Sequence, residues 1–348
     1  MRKILVLYRE LAGYIVNCLE FLAEEENLHI DIVAYPIAAE APFQFSFSDR
    51  ITVHRRSDVS DQKLTSMVSR GEYELIFCGG WFDKGYLNAL KSKRNTPAVI
   101  GFDKQWKGSI KDRLAVIYLR LKVTSLFDYA FVPGSEQVTF AKKMGFNQKQ
   151  IKTGVYVCDN TRFNKVYEKR NNSPELRKNR VIYAGRYIPQ KDILNLMSVA
   201  EELASQRNDD WEFHFIGAGL LWDQRVNHPK IIHHGFLDGK MLDELLTTGS
   251  IFILPSLFEP WGVVVNEFAM AGYPMILSNQ VGARTSLLTK ENGIVFPAGN
   301  TDEMRKALNS MMNLPSSELT KFGHKSHLLA KEINEKGFAN SMVQMMNK

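Results

Sequence analysis

The chain has 348 residues, too many for one ordinary domain and enough for two of roughly 150 residues each. Hydrophobic residues make up 45% and charged residues 24%, which excludes a disordered, collagen-like or membrane-bundle chain. The net charge of +6 is uneven: residues 1–174 carry +7, residues 175–348 carry −1, and the stretch 84–122 alone carries +8.

Cys18, Cys78 and Cys158 are scattered and form no CxxC, so they read as buried thiols in a reducing compartment. No apolar run reaches the ~20 residues of a spanning helix. A cytoplasmic protein is expected, attached at most to the inner face of the cell membrane.

In the first half, apolar runs predict strands at 3–8, 28–34, 74–78, 98–102 and 129–132. Stretches of helical period between them predict helices at 11–26, 84–92, 109–126 and 135–143. Residues 159–179 are polar, charged and without apolar period, and read as a linker. Beyond them, strands are predicted at 180–184, 212–216, 231–234, 251–254, 274–278 and 294–296. Helices are predicted at 191–204, 239–246, 263–270 and 302–312, and a terminal helix at 331–348 packs back on the first domain. Strands apolar throughout, alternating with helices, give an α/β fold of two doubly wound Rossmann-like domains, 1–158 and 180–330. Such sheets bind ligands at the carboxyl ends of their strands, and two of them facing each other leave a cleft there.

Three segments of the second half could carry chemistry. After the strand ending at Leu254, a loop runs to Gly262, which opens a helix. Free N–H groups at a helix start attract an anion, and glycine lets a phosphate approach the backbone. Glu259 in the loop and Glu267 on the helix could grip separate parts of one ligand, a carboxylate accepting two hydrogen bonds from vicinal hydroxyls. Equally, Glu259 could cap the helix and Glu267 be an ordinary helix residue. After Ala184, Arg186 and Lys191 flank a turn where two cations could clamp a diphosphate or be surface charge. Gly217 and Gly219 follow a strand without the third glycine of GxGxxG, so a tight turn explains them as well as a dinucleotide does.

P-loop, HExxH, GxSxG and Asp-x-Asp motifs are absent, and His233, His234, His324 and His327 have no ligand-spaced companions. No nucleic-acid recognition motif occurs, so no nucleic-acid partner is expected. Residues 108–124 read as a basic amphipathic helix with Ile110, Leu114, Ile117, Tyr118 and Leu121 on one side. This is either a solvated helix or, with Trp81, Trp106 and Phe102 as interfacial aromatics, a contact for anionic lipid or a lipid-linked acceptor.

Together these segments resemble the retaining GT-B glycosyltransferases of group 1, also called family 4. The resemblance rests on Gly185-Arg186 with Lys191, Gly217-Ala-Gly219, Pro255-Ser-Leu-Phe-Glu259, and Glu259 separated from Glu267 by seven residues. Gly272-Tyr-Pro274, Val281-Gly282 and Asn292–Pro297 extend it. It is close over 180–308, and 154–163 looks like the family's domain-closing segment. The resemblance implies a nucleotide-sugar-binding C-terminal domain and an acceptor-side N-terminal domain. Arg186 and Lys191 would hold the donor diphosphate, Glu267 the ribose, and Glu259 the transferred sugar, with the amides of Gly262 and Val263 nearby. Gly13, Gly185, Gly217, Gly219, Phe236 and Pro260 complete the donor set.

No metal and no cofactor beyond the donor are implied. The first loop departs from the family in having Gly13 alone. Asp103 stands where many members carry histidine, and could handle the acceptor proton or cap the following helix. The function implied is sugar transfer, with retention, to a sugar or lipid-linked acceptor in surface polysaccharide or glycolipid synthesis. Alternatives are a sugar-nucleotide epimerase, a GT-B phosphorylase and a non-catalytic sugar-nucleotide sensor.

Overall fold

The computed structural model describes residues 2–36, 45–237 and 239–347, so Met1 and Lys348 of the expected terminal segments lie outside the described residues. The chain divides into two compact units, residues 1–157 with 333–348, and residues 158–332.

The first unit runs β1 (Arg2–Glu10), α1 (Gly13–Glu25), β2 (Leu28–Tyr35), β3 (Ile51–Arg55), α2 (Asp61–Ser69), β4 (Leu75–Gly79), α3 (Lys84–Leu90), β5 (Ala98–Gly101), α4 (Ile110–Lys122), β6 (Tyr129–Val132), α5 (Ser135–Met144) and β7 (Ile151–Thr153). Its seven strands are all parallel in the order β3-β2-β1-β4-β5-β6-β7. Alternation along β1 sends Ile4 and Val6 to one face and Leu5 and Leu7 to the other, and both faces are buried. This is why the strands read as continuous apolar runs.

The second unit runs α6 (Asn160–Asn172), β8 (Arg180–Ala184), α7 (Ile193–Gln206), β9 (Glu212–Ile216), β10 (Ile231–Gly235), α8 (Gly239–Thr248), β11 (Ile251–Leu254), α9 (Val263–Met270), β12 (Met275–Ser278), α10 (Arg284–Leu287), β13 (Gly293–Phe296), α11 (Thr301–Met312) and α12 (Ser316–Lys331). Its six strands are parallel in the order β10-β9-β8-β11-β12-β13. The last helix, α13 (Glu335–Met346), returns to the first unit, where Phe338 and Met342 are fully buried against the core that includes α1.

The stretch expected as a linker is mostly helix. Asp159 caps α6 by accepting from the Arg162 amide at 2.9 Å, and Phe163, Val166 and Arg170 bury one face of it against α8 and α9. Arg170 is buried because it serves as a plug for carbonyls. It donates to Leu246 O and Gly249 O at 2.7 Å each and lies 3.9 Å from the centre of the Tyr273 ring. The sequence pattern missed this helix because one of its three inward residues is charged.

Candidate functional site

In a doubly wound sheet, the loops at the carboxyl ends diverge where the strand order reverses, and a crevice opens there. In the second unit that point lies between β8 and β11. Three strand-end loops are stitched together on one side of it. The Gly185 amide donates to Ile216 O at 3.0 Å, the Tyr187 amide to Ala218 O at 2.9 Å, and the Gly217 amide to Gly235 O at 2.6 Å. Gly217 has φ +120°, and a Cβ there would run into the Gly185 carbonyl, so no other residue fits the contact. Gly185, Gly217, Gly219 and, just past Gly235, Phe236 thus lie on adjoining loops. Arg186 is exposed beside them, its carbonyl held by the Tyr183 hydroxyl at 3.0 Å, and Phe236 is 42% exposed.

The loop after β8 is sewn across the reversal to the loop after β11. The Leu257 amide donates to Gln190 O at 2.9 Å, and Gln190 Nε2 donates to Phe258 O at 2.8 Å. Across this seam Lys191 Nζ donates to the Glu259 carboxylate, each side chain only 13% exposed, with Ser256 Oγ 3.5 Å from the same oxygen. Glu259 therefore does not cap the following helix. The N-cap of α9 is Gly262, at φ +93°, with no side-chain cap, and a Cβ at Gly262 would stand 2.9 Å from Glu259 Cγ. Pro260 lies two residues before Gly262 and Val263 directly after it, and the free amides of the first turn of α9 begin at Val263.

Glu267 lies one turn further along α9, away from the Lys191–Glu259 pair in sequence and environment. Burial pushes its carboxyl up to about 7, the Arg162 charge opposing and the Asp159 charge adding to the shift. Arg162 is itself held by Asp243 at 2.9 Å and by Gly239 O at 2.9 Å.

Sequence reasoning missed Gln190 and Ser256, whose part in the seam leaves no periodic or spacing signal. It also missed Tyr187, whose buried hydroxyl meets His233 Nδ1 at 2.8 Å behind the glycine loops. The histidines on 324–327 sit on α12: Tyr167 bonds His324 Nδ1 at 2.7 Å and stacks on His327 at 3.6 Å. Among the described residues, no group of three His, Cys, Asp or Glu could hold a metal ion.

Gly13 and Asp103 belong to the first unit. Gly13 is the first residue of α1, and a Cβ there would meet nothing within 4 Å. Asp103 follows β5. It does not cap α4, whose N-cap is Ser109, accepting from the Asp112 amide at 3.1 Å. Its charge instead reaches Tyr8, Tyr14 and Tyr156, whose phenols are raised chiefly by burial and further by Asp103. The hydroxyls of Tyr8 and Tyr14 are 3.5 Å apart. Where the strand order reverses in this unit, between β1 and β4, a cavity of about 540 Å³ is lined by Arg9, Glu10, Tyr35, Gly79 and Asp83, among others. Asp83 accepts from the Tyr35 hydroxyl at 2.6 Å and from Arg56 Nε at 3.1 Å. No sequence spacing joins these residues, since they come from the ends of three strands, β1, β2 and β4, and the loop after β4. The aromatics expected at an interface are not on one: Phe102 is 5% exposed, and Trp81 and Trp106 pack with it around Phe140.

Residues 166–327 match the family model described as glycosyl transferases group 1. That segment belongs to the group 1 glycosyl transferases. Among curated relatives, the α-D-kanosaminyltransferase of Streptomyces kanamyceticus is 25% identical over 142 residues, 39% of this chain and 36% of the relative. The chain spans about a third to a half of the length of the curated relatives it matches. Two solved structures extend the likeness over the whole fold. Sucrose-phosphate synthase from Thermosynechococcus elongatus superposes with a TM-score of 0.72 at 15% identity, covering 99% of this chain and 98% of its own. An E. coli trehalose-6-phosphate structure bound with UDP-2-fluoro glucose gives 0.75 at 10% identity, covering 99% of both chains. The two units thus have the GT-B fold, each a Rossmann-like layer around a parallel sheet.

The group 1 segment begins inside α6 and ends inside α12, so it takes in every strand of the second unit and none of the first. Arg186, Lys191, Glu259 and Glu267 lie within it; Asp103 and Gly13 lie outside.

Proposed function

We propose that this chain transfers a sugar from a nucleotide diphosphate-sugar to an acceptor hydroxyl, with retention of configuration. The observation that carries this reading is the Lys191–Glu259 pair at the strand-order reversal of the group 1 segment, beside the amides of α9 and the glycine-lined loops. A cation already oriented by a carboxylate needs little reorganisation when a diphosphate arrives. In this reading Arg186 and Lys191 hold the diphosphate and stabilise its charge as it leaves. Glu267 accepts from the ribose hydroxyls, and Glu259 contacts the sugar undergoing transfer through an oxocarbenium-like transition state. The departing phosphate assists attack on the same face, and no metal is needed. On the acceptor side, Asp103 orients or deprotonates the hydroxyl.

Further support comes from the relatives. The Streptomyces protein is named as an α-D-kanosaminyltransferase, and the E. coli neighbour is bound with UDP-2-fluoro glucose. Surface polysaccharide or glycolipid synthesis is the proposed setting. Donor hydrolysis and transfer should fall by a factor of roughly 10²–10³ in Arg186→Ala and Lys191→Ala. Glu267→Ala should weaken donor binding. If all three variants keep wild-type rates, the reading fails. Thermal shifts with UDP-, GDP-, ADP- and dTDP-sugars identify the donor, since a ligand of the folded state raises its melting temperature.

A further inference from the structure

Helix α4 has two apolar faces, and only one of them is used by the core. Val116 and Leu119 point inward and are 8% and 2% exposed, as is the buried Asp112, which accepts from Lys104 at 2.8 Å. The other face carries Ile110, Leu114, Ile117, Tyr118 and Leu121, which are 56–78% exposed. Five of the sixteen large apolar side chains exposed among the described residues thus lie on one helix of 13 residues. Solvated helix faces are ordinarily polar, and exposed apolar side chains gathered this way mark a surface that binds something.

The charges around the stripe say what kind of surface. At about 100° per residue the five apolar side chains span an arc of roughly 100°, opposite the core face. Lys111 and Lys122 fall along one border of that arc, and Arg113 and Arg120 along the other. All four are exposed, and the only acidic residue of α4 is the buried Asp112. Arg120 also lies against Gly145 at the end of α5, which adds the exposed Lys142 and Lys143 to the same side. Elsewhere the basic stretch is partly neutralised, since Lys93 is paired with Asp128 at 2.7 Å and Lys104 with Asp112. The excess therefore concentrates beside the apolar stripe.

We infer that α4 is a docking surface for an anionic lipid bilayer, lying in the plane of the interface. Its apolar stripe would enter the boundary between headgroups and acyl chains, with the four bordering cations among the headgroups. A second copy of this chain would need an acidic or apolar face to cover the stripe, and the cations on both borders oppose self-association. Among the described residues no helix is long and apolar enough to cross a membrane, so this would be peripheral attachment. The inference does not rest on the transferase reading, because vesicle binding needs no donor.

The test is flotation of the full chain with vesicles of phosphatidylcholine alone and with a third of the lipid replaced by phosphatidylglycerol. The wild type should float with the anionic vesicles and not with the neutral ones, and high salt should release it. Leu114→Ser combined with Leu121→Ser should abolish flotation. Arg113→Gln with Arg120→Gln should weaken it about fivefold for each cation removed. All four side chains are exposed, so an unchanged melting temperature certifies the fold. Equal flotation with neutral vesicles, or none with either, would overturn the inference. So would a wild-type dimer that the two serine substitutions convert to monomer without any vesicle binding, which assigns the stripe to a second copy.

Discussion

Lys191 and Glu259 stabilise each other in a place where either one alone would be a liability. Both are largely withdrawn from water. Removing one partner of such a pair leaves a buried charge and costs about 3–5 kcal/mol, whereas removing both together costs far less. In denaturant unfolding, Lys191→Met and Glu259→Gln should each be clearly less stable than the double variant. A double variant as unstable as the sum of the two singles would mean that the pair contributes nothing. Glu267 behaves differently, since its folded carboxyl is raised to about 7 by burial. Between its ordinary value near 4.5 and about 7 the folded state keeps a proton that the unfolded state has lost. Stability therefore falls as pH rises through that window and levels off above it. Glu267→Gln should flatten this part of the stability–pH curve. It should also remove a rise in donor affinity as pH passes 7, where the ionised carboxylate becomes the better acceptor for ribose hydroxyls.

At the scale of elements, legibility followed burial. All six strands of the second unit were readable: the inner four, β8, β9, β11 and β12, are short runs buried on both faces, while the edge strands β10 and β13 keep apolar runs though only partly buried, and the helix over 263–270 was predicted with the ends it has. Three elements of the first unit were not. β3 buries only Ile51 of its five residues, β7 has three residues at the sheet edge, and α2 shows the core only Leu64 and Val68. Both strands lie at sheet edges with one buried residue each, too little for an apolar run to show. The glycine loops and the Glu259–Glu267 spacing were legible as a candidate site, because backbone approach and carboxylate placement demand particular residue types. The seam made by Gln190 and Ser256, the tyrosines around Asp103 and the cavity between β1 and β4 were not. They are tertiary meetings of side chains from distant strand ends. In α4 the period was legible, but not which of its two apolar faces meets the core.

For the whole molecule, the placement of α13 governs how stability is shared. Phe338 and Met342 are fully buried in the first unit, and each is worth about 1.5–3 kcal/mol of burial. A chain ending at Glu332 should lose stability in the first unit and keep it in the second. Calorimetry should then show one melting transition lowered and the other in place, and a shift of both would mean that α13 supports the second unit too.

The same placement has a consequence for biosynthesis. The second unit is an uninterrupted run of chain, while the first is split by it into an early portion and a late one. A ribosome delivers residues in order, and domains fold as units while they emerge. Residues 158–332 can finish folding while the earlier-made sheet still lacks its last helix. That sheet waits through the synthesis of roughly half the protein with the surface later covered by Phe338 and Met342 open to water. The interval is a window for chaperone binding that falls on the older unit, not on the one just made.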